Sequence, residues 1–156
     1  MKLQPPPEGP DEYIIFTLIF MLSNRLQTIG DSFFAEVSTK QWFVIVILEI
    51  MGDYAPTLNE LSEAVGSSHQ NVKQLVLKLE QKGYVEINRD GEDARRLRIR
   101  LAPKSISFSE AYREKSLRFM EKLFGDFQKT DLFTTKNVML SMKDILEKME
   151  KDYIKV

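Results

Sequence analysis

Thr57-Leu-Asn-Glu-Leu-Ser-Glu-Ala-Val-Gly-Ser-Ser-His-Gln70 is the stretch whose reading decides the fold. Thr57 and Glu60 stand three apart, the spacing of a capping box, in which side chain and backbone satisfy each other's free donors at a helix start. Ser67-Ser-His-Gln70 repeats that signature ten residues on. Two starts so close leave room for one short helix, Leu58 to about Val65, and a tight turn at Gly66. The second helix then carries Val72, Leu75, Val76 and Leu79, one apolar stripe at helical spacing. Its other face shows His69, Gln70, Asn71, Lys73, Gln74 and Lys78, and Gly83 supplies its stop. Tyr84-Val-Glu-Ile-Asn88 and Leu97-Arg-Ile-Arg-Leu101 alternate as strands around the turn Asp90-Gly91. Helix, turn, helix and charged hairpin make a helix-turn-helix with a β-wing, and predict contact with double-stranded DNA.

Composition supports this through its distribution. The chain's 156 residues are about one domain's worth, and the net charge of −1 taken alone argues against a polyanionic partner. By segment the picture changes. Residues 1–36 and 37–72 each carry net −3, whereas residues 73–104 hold nine basic and five acidic side chains, net +4, and the tail is +1. The positive charge falls on the second helix and hairpin, where phosphates would be met.

Other classes fall away. There is no cysteine, which excludes disulfides, a thiol switch and a cysteine metal site. His69 is the only histidine, too few ligands for zinc, so no metal and no cofactor are expected. No acid/base pair or Gly-rich phosphate loop suggests an enzyme. The apolar run Tyr13–Leu22 is shorter than the roughly 20 residues that span a bilayer. It also lacks a signal peptide's basic start and cleavage site. A cytoplasmic protein without membrane attachment is expected.

Outward from the centre, Met1–Pro10 holds four prolines and reads as an extended arm. Asp11 is placed to cap a helix from about Glu12 to Ile29 whose apolar residues run all round, so it must be covered on more than one side. Ser38-Thr-Lys-Gln41 is another capping box, opening a core helix from about Lys40 to Met51. Ala55-Pro56 leaves room for one short strand that could pair with the hairpin. Beyond Leu101, either Pro103 or the box Ser107–Glu110 starts a helix running to about Lys129, with a stripe of Leu117, Met120, Phe124 and Phe127. A last helix, about Thr134 to Tyr153, carries Val138, Met142, Ile145, Leu146 and Met149 at coiled-coil-like spacing. These terminal helices have wide apolar faces and no sheet to cover them, so they predict a two-fold dimer. The expected fold class is mainly α with a small β-wing.

With that layout in place, the chain resembles the MarR family of winged-helix transcription regulators. The resemblance is carried by Leu58–Ser62, by Val72–Val85, and by Asp93-Ala-Arg95 followed by Leu97–Leu101. It departs from the family at Ala94, where a basic residue is common, at Ala102, where Thr usually stands, and at Gln74, often Arg. It implies a single domain, 1–156, with a winged helix-turn-helix over 38–104 and dimerisation helices over 11–36 and 105–156. It also implies a homodimer on a palindromic operator, usually repressing, and commonly released by a small aromatic or phenolic effector.

Candidate DNA-binding residues follow. Ser67 or Ser68 can meet a phosphate at a helix start, or simply cap it. Gln70, Asn71, Lys73 and Gln74 are the base readers, since Asn and Gln read adenine and Lys guanine, with His69 and Lys78 on the same polar face. Arg95 is the wing residue expected in the minor groove, and Asp93 would hold the loop by pairing with a basic neighbour. Arg96, Arg98 and Arg100 share one strand face, where phosphate contact and plain solvent exposure are both open for the last two. Phe16, Phe20, Trp42 and Phe43 could line an effector cleft between the first two helices, or be ordinary core or interface aromatics. The rival from another class is a winged-helix adaptor that binds protein instead of DNA. The basic segment favours DNA.

Overall fold

Two capping boxes set the starts of the central helices. Ser38 Oγ accepts from the Gln41 amide while Gln41 Oε1 accepts from the Ser38 amide, at 3.3 and 3.1 Å. Thr57 and Glu60 do the same at 3.3 and 2.7 Å. In the computed structural model, which describes residues 9–91 and 96–153, they open α2 (Thr39–Met51) and α3 (Leu58–Val65). Around these run α1 (Asp11–Phe33), α4 (His69–Gln81), β1 (Val85–Arg89), β2 (Leu97–Leu101), α5 (Pro103–Phe124) and α6 (Lys129–Tyr153). The fold class is therefore the expected one, mainly helical with a two-stranded antiparallel wing.

The turn between α3 and α4 works through Gly66, whose φ of +67° is left-handed, a conformation glycine reaches without a Cβ penalty. The Ser67 amide then bonds back to the Ser62 carbonyl. Here one expectation shifts by a residue. The second capping signature is not a Ser67–Gln70 box: Ser68 is the N-cap, and its Oγ accepts from the Asn71 amide at 3.3 Å. Ser67 instead accepts from Asn71 Nδ2 at 2.8 Å. At the far end Gly83, with φ +77°, lets the Tyr84 amide bond to the Leu79 carbonyl, a Schellman-type stop.

By contacts the chain divides into two units, the first reaching Ser109 and the second starting at Glu110. In the first, Val44, Ile45 and Leu48 of α2 are buried together with Leu61 of α3 and Val72, Val76 and Leu79 of α4. Val85 and Ile99 root the wing in that core. The register pairs Val85 with Leu101 and Arg89 with Leu97. The chain before α3 forms an isolated bridge instead of the short strand that the sequence left room for: Thr57 bridges Arg98, and the Ile99 amide donates to the Pro56 carbonyl at 2.9 Å. Tyr84 ties the hairpin's root down. Its hydroxyl donates to Glu36 at 2.5 Å, and its carbonyl accepts from the Ala102 amide and the Ser105 hydroxyl.

The outer helices differ in their limits from the sequence reading. α1 starts after Pro10 with no side-chain cap, so Asp11 lies in the first turn instead of capping it, and the helix continues to Phe33. α5 does begin at Pro103, where the missing N–H costs nothing, but it stops at Phe124 and not near Lys129. Gly125 breaks it, and Phe127 sits in the turn to α6, outside the stripe assigned to it. In the second unit no described residue is buried.

Candidate nucleic-acid interface

α4 has two chemically distinct faces. Val72, Val76 and Leu79 are at most 2% exposed, so the helix cannot rotate without uncovering the core. That fixes the opposite face outward, and His69, Gln70, Asn71, Lys73, Gln74 and Lys78 are all exposed there. Ser68 caps the helix and Ser67 is half-buried beside it, so a phosphate at this end would meet unpaired helix amides. Asn71 is partly committed, because its amide already donates to Ser67.

The wing carries a second group of cations. Arg89, Arg96 and Arg100 are exposed. Asp93 and Arg95, the residues expected at the wing's tip, lie outside the described residues.

Arg98 departs from expectation. It is neither a plain solvent-facing cation nor aimed at a free phosphate, because its guanidinium is bound within the molecule. Nε donates to Asp90 Oδ2 at 2.6 Å. Nη1 donates to the Ala55 carbonyl at 3.1 Å and to Glu60 Oε2 at 3.3 Å. Tyr54 closes the group, its hydroxyl donating to Glu60 Oε1 at 2.7 Å and its ring 6.0 Å from the guanidinium carbon. The hydrogen bond to Asp90 raises the Arg98 pKa above its ordinary value. Glu60 is held down at about 2, first by the Thr57 amide, then by the Tyr54 and Thr57 hydroxyls and the nearby Arg98 charge. Glu60 was legible only as a cap, and nothing in the sequence signals that Asp90, Glu60 and Arg98 meet.

The four aromatics proposed for an effector cleft have different surroundings. Phe16 and Phe20 pack edge to face on each other at 5.1 Å, both about 60% exposed on α1. Trp42 stacks on Phe34 at 5.2 Å and belongs to the core edge, while Phe43 is exposed. A depression of about 460 Å³ in the first unit is lined by Phe34, Gln41, Leu75, Lys78 and Lys82 among others. Among the described residues no cluster of His, Cys, Asp and Glu could hold a metal, and no helix is long and apolar enough to cross a membrane.

The pattern of a capped short helix, an outward polar helix and a rooted wing has counterparts. The MarR family model matches residues 36–96, the segment from just before α2 to the start of β2. Residues 36–96 are therefore similar in sequence to the MarR family. Beyond that MarR segment the fold itself is shared. A MarR/EmrR family transcriptional regulator from Acinetobacter sp. ADP1 superposes with a TM-score of 0.78, at 19% identity over 90% of this chain and 99% of its own. The S. aureus MepR–DNA complex gives 0.73 at 20% identity, over 86% of this chain and 97% of that one. The Bordetella bronchiseptica protein BpsR, solved in work on the regulation of its DNA binding by 6-hydroxynicotinic acid, gives 0.73 at 17%, over 88% and 98%. At these identities the likeness is one of fold. No curated protein sequence matches the chain.

Proposed function

We propose that this protein is a sequence-specific DNA-binding transcription regulator that works as a homodimer on a palindromic operator, as a repressor. One observation carries the reading: the six polar side chains of α4 stand exposed on a helix whose other face is locked into the core. Such a helix presents a fixed row of donors, acceptors and charge at the width of a major groove. The net +4 of residues 73–104 supplies the phosphate attraction beside it. Ser67, Ser68, Gln70, Asn71, Lys73 and Gln74 are the proposed contacts, with His69, Lys78 and Arg96 flanking them and Arg95 at the wing.

The dimer is supported by the apolar residues left uncovered in one chain. Phe16 and Phe20 of α1, and Ile145 and Leu146 of α6, are each more than half exposed. Residues 11–36 and 105–156 are the proposed dimerisation helices. Release by a small aromatic acid or phenol is the proposed control, by analogy with the 6-hydroxynicotinic acid that acts on BpsR.

The test is selection of bound sites from random duplexes, followed by titration of the best site over a salt series. The expected result is a palindromic consensus whose affinity falls steeply with salt. In Lys73→Ala the slope of log K against log salt should flatten by about 1, one phosphate contact fewer. Equal binding to all duplexes would sink the regulator reading and leave a protein-binding adaptor ahead.

A further inference from the structure

Arg98 sits where an arginine on a winged-helix hairpin would ordinarily be assigned to DNA, yet its guanidinium donates to groups of its own chain. It joins two parts of the chain that are far apart in sequence. Asp90 directly follows β1, Ala55 lies in the segment between α2 and α3, and Glu60 is in the first turn of α3. A planar guanidinium can hold a carboxylate, a carbonyl and a second carboxylate at once, which a lysine ammonium on its flexible stem cannot do in a fixed geometry. Glu60 is itself fixed by the Thr57 cap and the Tyr54 hydroxyl. The far end of the group is therefore rigidly anchored to the helix-turn-helix. The near end, Asp90, is also held by backbone, its amide donating to the Arg96 carbonyl at 2.9 Å across the hairpin.

From this geometry we propose that Arg98 is a positioning residue: a strut that fixes the angle of the wing against α3, so that the wing's tip and α4 meet DNA together. This rests on the DNA-binding reading above. A two-stranded ribbon alone twists and bends readily, being marginally stable by itself. Among the described residues the wing has a backbone tether beyond its root, the Ile99 amide on Pro56. The Arg98 group adds a side-chain brace nearer the tip. Asp90 then has a use that its charge alone would forbid, since a carboxylate close to phosphate otherwise weakens binding.

That last point makes the strut separable from a phosphate contact. Two variants, Asp90→Asn and Arg98→Lys, are titrated against the selected duplex, with amide hydrogen exchange followed at Asp90 or its replacement and at Ile99. If Arg98 touches phosphate, Asp90→Asn frees a cation and removes an anion, so binding tightens, and Arg98→Lys keeps the charge and binds nearly as wild type. If Arg98 is a strut, both variants weaken binding by about tenfold, the scale of one lost charge-assisted hydrogen bond, and both amides exchange faster in the free protein. The wild-type titration separates the two levels of the argument. A wild type that binds no duplex overturns the regulator reading and this one with it. A wild type that binds, with both variants matching it, overturns the strut alone.

Discussion

α4 and α6 carry apolar residues at similar helical spacing, and the protein treats them in opposite ways. In α4, Val72, Val76 and Leu79 are sealed against α2, α3 and the wing. In α6, Val138, Ile145, Leu146 and Met149 are 44–59% exposed. The periodicity of an apolar stripe says that a face wants cover; it does not say whether the cover comes from the same chain. Here the winged unit completes its core by itself, while the apolar residues of α6 stay exposed, the face proposed above for a second copy.

The largest effect that could break this contrast is in the self-contained core. Leu79→Ala, at a site with no exposure, should cost about 2–5 kcal/mol of folding stability, read from urea unfolding. Leu146→Ala should instead leave the subunit's own fold nearly unchanged and weaken the dimer by roughly 1.5–3 kcal/mol, the burial energy of a leucine side chain. Sedimentation equilibrium measures it. If Leu146→Ala destabilised a monomeric species as much as Leu79→Ala, the two regions would not differ as described.

A smaller effect sharpens the first half of the comparison. Thr57→Ala removes the hydroxyl that accepts the Glu60 amide and should cost about 1 kcal/mol, seen as a lower thermal midpoint. The smallest concerns acid. Glu60 titrates at about 2 against an ordinary 4.5. Because its pKa is depressed on folding, its contribution is complete above about 4.5 and disappears as pH falls through about 2. The side chain is 42% exposed, so solvent screening keeps the effect modest. In Glu60→Gln the stability difference from wild type should shrink between pH 5 and pH 2, as measured by urea unfolding at the two ends.

Much of this is legible in the sequence because short-range chemistry governs it. The two true capping boxes, the Gly66 turn, the Gly83 stop and the alternation of β2 each rest on residues within a few positions of one another. What escaped depends on distance or on a break in a continuing pattern. Phe124 and Phe127 are three apart, the spacing of a continuing stripe, although Gly125 between them ends the helix. The Ser67–Gln70 spacing fitted a box, but Asn71 won the capping hydroxyl of Ser68. Arg98 looked like a surface cation since its partners Asp90, Ala55 and Glu60 are brought to it only by folding. Likewise, Trp42 pairs with Phe34 instead of with the α1 aromatics, a choice made by packing.

The central claim is that two self-contained winged units are held by shared outer helices so that both α4 helices read one duplex. Hydroxyl-radical footprinting of the selected site, with the stoichiometry of the complex measured alongside, tests it most directly. The account predicts two chains per duplex and two protected half-sites one helical turn apart, about 34–36 Å centre to centre. A single protected patch bound by one chain would contradict it.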